Sequence, residues 1–74
     1  MDAPEWIAAF AAEAGVAPPT EEEVGQLLAL AGIAAHASER TAAPISCWIA
    51  ARAGLSPAAA QDLASRLAGA AGEQ

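Results

Sequence analysis

The chain has 74 residues, enough for one small domain, and little bulk to bury: 55% is hydrophobic, yet 24 residues are Ala and only 16 are large apolar ones. Nine acids against three Arg leave a net charge of −6, and all of it sits in residues 1–25, where Asp2, Glu5, Glu13, Glu21, Glu22 and Glu23 meet no cation. That balance argues against general binding to a phosphate backbone and against an anionic membrane surface, and a single cysteine excludes an internal disulfide.

The first element follows Met1. Asp2 offers an N-cap, Pro4 sits in the first turn and Glu5 falls at N3. Trp6, Ile7, Phe10 and Ala14 then recur at helical spacing, and Gly15 supplies a left-handed stop. Pro18 and Pro19 keep the link extended. Thr20 with Glu23 forms a second capping box, and Glu21, Glu22 and Glu23 lie where the helix dipole favours acids. Val24, Leu27, Leu28 and Ala31 make one stripe of the second helix; Leu30, Ile33, Ala34 and Ala37 make an adjacent one. A helix apolar around most of its circumference belongs at the middle of a bundle or shows a face to another chain. Its end is expected between Ser38 and Arg40.

Thr41 to Pro44 opens a third helix carrying Ile45, Trp48, Ile49 and Arg52, which Gly54 stops. Ser56 and Pro57 open a fourth, whose inner face is expected to be Ala60, Leu63, Leu67 and Ala70. No segment alternates with period two. The chain therefore reads as all-α: a compact, four-helix, bundle-like single domain over residues 1–74, with Trp6 and Trp48 as core anchors.

That core is thin. An Ala methyl contributes roughly 0.8 kcal/mol on burial and a Leu or Ile roughly 1.5–3, so a chain of this size nets about 3–5 kcal/mol on its own. A protein partner or self-association is expected to supply the rest. The candidate interface combines Glu21, Glu22 and Glu23, which favour a basic partner surface, with the apolar Trp6, Leu30 and Ile33.

Three chemical readings compete at the middle of the chain. His36 and Arg40 are four apart, and the amide-rich start of the third helix, from Thr41, follows them. Imidazole, guanidinium and free N–H groups suit a phosphate or a carboxylate. The alternative is structural, with Arg40 pairing an acid or capping carbonyls. Metal binding is disfavoured, because His36, Cys47 and Glu39 make a poor ligand set. A Cys47–His36 nucleophile pair lacks an orienting third group, so no catalytic residue and no cofactor is assigned. Ala50, Gly54, Leu55, Ser56, Ala60 and Leu63 match helix-turn-helix spacing, but the would-be recognition helix has few groups able to read bases.

The N-terminus MDAPEW lacks the cationic and apolar regions of a secretory signal. The longest uncharged stretch, Val24 to Ser38, is 15 residues and too short for a membrane span. A cytoplasmic location is expected, and the Ala-rich, Lys-free composition points to a GC-rich bacterial genome.

Several segments share a pattern: Glu5-Trp6-Ile7, Glu21-Glu22-Glu23-Val24, Ala35-His36, Arg40, Ala42-Ala43-Pro44-Ile45, Trp48-Ile49 and Ala53-Gly54. Over roughly residues 5–70 the chain resembles a small, mostly actinobacterial domain of unknown function. That domain is found alone or attached to nucleotidyltransferases of molybdenum-cofactor guanylylation. The resemblance implies a non-enzymatic accessory role near molybdenum-enzyme maturation. Cys47 departs from the pattern, which has a small polar residue there, and receives no role from it.

Overall fold

The computed structural model describes residues 1–72 and is built from four helices: α1 (Ala3–Ala14), α2 (Glu21–Ala37), α3 (Ala42–Arg52) and α4 (Pro57–Gly72). The fold is all-α, as the sequence implies, and the helix ends are set by local chemistry. Asp2 accepts from the Glu5 amide at 2.8 Å while the Glu5 carboxylate accepts from the Asp2 amide at 3.3 Å. Thr20 and Glu23 repeat this box at 3.1 and 2.8 Å. The Ser56 hydroxyl accepts from the Ala59 amide at 3.1 Å and opens α4.

Glycine ends two helices. Gly15 and Gly54 adopt φ of 79° and 75°, a left-handed conformation that costs a Cβ-bearing residue energy. Both create the paired reverse bonds of a Schellman stop. Val16 and Gly15 donate back to Ala11 and Ala12, and Leu55 and Gly54 donate back to Ala50 and Ala51. The end of α2 has no such glycine. It stops at Ala37, with Ser38 at φ −137°, ψ −105°, slightly before the expected boundary.

α2 is the hub. α4 packs along it most extensively and α3 next, whereas α3 and α4 barely approach each other. The core where they meet is Leu30, Ala50 and Ala60, with Leu27, Cys47, Leu55 and Ala64 half-buried against it. α1 stands apart: none of its Cα atoms comes within 8 Å of one in α2, α3 or α4. Its apolar side turns instead to Val16, Ala17 and Pro19 of its own link. The molecule is accordingly elongated, 43 × 24 × 19 Å, with a radius of gyration of 13.2 Å, against about 11 Å for a sphere-like chain of this length.

The helices form where expected, but several faces differ from the sequence reading. Trp6 and Trp48 are not core anchors: they are 60% and 61% exposed. On α4 the inner face runs through Ala60 and Ala64, while Leu63, Leu67 and Ala70 are exposed. α2 lies between α3 and α4, and close helix approach requires small residues at the crossing. Ala50 and Ala60 fill those positions and leave the bulkier neighbours outside.

Among the described residues, Leu30 is the one large side chain that is buried, at 4% exposure. Leu30→Ala is expected to cost about 2–5 kcal/mol, whereas Leu28→Ala, at an exposed position, should stay within about 0.5 kcal/mol. Chemical denaturation of the two variants checks the assignment. Gly25 lies inside α2 with nothing within 4 Å of where a Cβ would sit, so Gly25→Ala should raise stability by about 0.5–1 kcal/mol. A fall in midpoint for that variant would contradict the α2 geometry.

Candidate functional site

His36, Arg40 and Thr41 fall on different structural units. His36 occupies the last turn of α2, whereas Arg40 lies beyond the helix end, in the turn before α3. Helical spacing therefore does not carry from one to the other. Thr41 takes helical backbone angles, φ −65°, ψ −20°, and its hydroxyl makes no cap bond. The amides of Ala42 and Ala43 donate to the carbonyls of Glu39 and Arg40 at 2.9 and 3.1 Å, and Pro44 has no amide hydrogen. The start of α3 thus presents engaged amides where an anion cradle needs free ones.

All three candidates are exposed. Neither His36 nor Arg40 takes part in the side-chain hydrogen bonds of the described residues. Among the described residues, the structural alternative, Arg40 holding an acid or capping α2 by a hydrogen bond, is not realised either. His36 edges an open cleft of about 530 Å³ whose other walls are Ala29, Gly32, Ile33, Ala37 and Ala68. One imidazole over an apolar floor gives orientation to no particular anion. Cys47 is half-buried against the core, as expected of a small apolar filler. Among the described residues no three of His, Cys, Asp and Glu come together as metal ligands would.

The interface candidates divide. Glu21 and Glu22 are exposed, and Glu22 accepts from the Gln26 side chain at 3.5 Å. Glu23 is half-buried and committed to the cap on Thr20. Trp6 is exposed and Ile33 half-buried. Leu30 is corrected outright: it is the centre of the core, and its edge forms the floor of a groove.

That groove is the feature the sequence reading missed. It encloses about 420 Å³ between α2, α3 and α4, with Leu30, Ile33, Ile49, Leu55, Leu63 and Leu67 as its large lining residues. Its signal was present in the excess of apolar positions on every helix, but periodicity alone did not say which would face a neighbour. A second apolar surface surrounds Trp48. Arg52 lies 5.2 Å above its ring, a cation–π arrangement that covers one face of the indole, while Ile45 beside it is 60% exposed. α3 and α4 pack chiefly on α2 and only slightly on each other, with Ala50 and Ala60, the small residues of the helix-turn-helix spacing, meeting in the core.

These features define a small all-α domain whose chemistry is apolar surface and not a polar pocket. The chain belongs to the DUF6457 family, a domain of unknown function, whose model matches residues 1–74. No curated protein and no solved structure matches it.

The division among the three glutamates is open to measurement. Thr20→Ala removes the acceptor for the Glu23 amide and should cost about 1 kcal/mol. The double change Glu21→Gln, Glu22→Gln should cost less and leave helicity intact. Circular dichroism melts showing the reverse order would place the cap elsewhere.

Proposed function

We propose that this chain is a non-enzymatic interaction module that acts by docking onto protein. The observation that carries the reading is the inversion of its bulk. Among the described residues one large side chain is buried, while Trp6, Phe10, Leu28, Ile45, Trp48, Ile49 and Leu67 are each 55% exposed or more. Monomeric domains scatter apolar residues singly over their surface. Here they gather on a groove, on the α1 face and around Trp48.

Trp and Arg are the residue types that dominate interface energetics, and Trp48 beneath Arg52 provides both on one helix. Glu21 and Glu22 add a charged rim that suits a Lys- or Arg-rich partner. Such a rim speeds encounter more than it tightens the complex. The resemblance to an actinobacterial domain attached to nucleotidyltransferases extends the proposal: the partner belongs to molybdenum-cofactor guanylylation or to molybdoenzyme maturation. No helix of the described residues is long and apolar enough to cross a membrane, so the apolar surface is read as protein-facing.

Calorimetric titration of the full chain against a molybdenum-cofactor nucleotidyltransferase tests both parts. Binding with a negative heat-capacity change is expected. Trp48→Ala should weaken it by about thirtyfold or more, the loss a hot-spot side chain gives. Glu21→Gln, Glu22→Gln should slow association several-fold at low salt and little at high salt. Absence of binding to any such enzyme removes the molybdenum link. Nucleotide turnover by the chain alone, abolished by His36→Ala, would overturn the module reading itself.

A further inference from the structure

The first helix and the groove are each incomplete, and each has what the other lacks. A 12-residue helix is marginal in water by itself, yet α1 brings no Cα within 8 Å of one in another helix. Its apolar side carries Trp6 and Phe10, 60% and 65% exposed, with rings tilted at a centroid distance of 6.3 Å. At 1.5 Å per residue α1 is about 18 Å long, close to the roughly 16 Å of α3 that walls the groove.

Charge does not supply the fit: α1 and its cap hold Asp2, Glu5 and Glu13 and no cation, and the groove-bearing segment holds Glu21, Glu22, Glu23, Glu39 and Asp62 beside Arg40, Arg52 and Arg66. The groove lining is apolar apart from Ser46, so what α1 offers it is the exposed Trp6 and Phe10.

The exposed area sets the scale. A compact monomer of 7.3 kDa exposes roughly 4,200 Å², whereas this chain exposes 5562 Å². The excess, about 1,400 Å² per chain, would bury about 2,800 Å² in a pair, inside the range of roughly 2,000–5,000 Å² found for obligate homodimers.

The link decides between the chain's own groove and another's. Residues 15–20 include Pro18 and Pro19, which favour a stiff, extended spacer. The groove lies against the far half of α2, from Leu30 to Ala37, so α1 would have to double back along α2 to reach it. A short hinge beside an undocked helix invites exchange of that element between copies.

We infer that two copies of this chain form an arm-exchanged dimer, α1 of each lying in the α2–α3–α4 groove of the other with Trp6 and Phe10 entering it. This rests on the reading of the chain as an interaction module and names one of its partners. The exchange is twofold symmetric, so it closes without leaving a sticky end. It leaves Trp48 and Ile45 uncovered for a different protein.

Sedimentation equilibrium of the full chain should give twice 7.3 kDa at micromolar concentration. The arm variant Trp6→Ala, Phe10→Ala and the groove variant Leu67→Asp should each raise the dimer dissociation constant about a hundredfold or more. Both alter exposed side chains, so each monomer should keep its helicity. Mixing the two variants should restore a mixed dimer, because one intact arm then meets one intact groove. Isotope-filtered NMR of the native chain should show the Trp6 ring against Leu63 and Leu67 methyls of the other copy.

A native chain that remains monomeric at millimolar concentration overturns the inference, as do contacts of Trp6 confined to its own copy. A dimer unaffected by the arm variant does the same. These failures are distinguishable from failure of the module reading. A monomer that still binds the nucleotidyltransferase through Trp48 keeps the module and loses the exchange.

Discussion

Close helix crossing on alanine is the constraint from which the remaining structure follows. α2 receives α3 and α4 through Ala50 and Ala60, and Leu30 fills the space between them. Methyl groups at the crossing let backbones approach, but they bury little area each. Bulky side chains cannot occupy those positions, so they are displaced to the flanks. The exposed Leu63, Leu67 and Ile49 are the consequence of the same packing that buries Ala60. A core of this kind holds three helices in register and leaves the domain short of buried bulk.

Helix boundaries were legible because they are decided within a few residues. Asp2 with Glu5, Thr20 with Glu23, and Ser56 each satisfy orphan amides locally, and Gly15 and Gly54 each permit a left-handed stop. Nothing distant in the chain is needed to read them. The exception is the α2–α3 turn, where Thr41 resembles an N-cap but adopts helical angles. There the carbonyls of Glu39 and Arg40 take the amides of Ala42 and Ala43 first, and the anion-site reading of His36, Arg40 and Thr41 loses the helix-start amides.

Facing was less legible. Amphipathic helices reveal their inner side through contrast, and α2 has apolar residues on most of its circumference. Leu28, Leu30 and Ile33 are near-equivalent in sequence, yet one is exposed, one is the centre of the core and one edges the groove. The two tryptophans failed for a related reason. Large aromatics are expected inside when bulk is scarce, but Trp6 stands on α1, which packs along no other helix, and on α3 it is Ala50 and Cys47, not Trp48, that meet the core. Their exposure moves them from the account of stability to the account of association.

The distribution of charge and the distribution of apolar surface then have a common physical sense. Acids placed on α1 and at the start of α2 keep a surface rich in Trp, Phe and Leu from associating indiscriminately, because copies approaching with their acidic ends together repel. Apolar burial would hold the arm-exchanged dimer proposed above, and the acids would act only against approaches that bring them together. A domain too small to finish its own core thus leaves apolar surface at the groove and around Trp48.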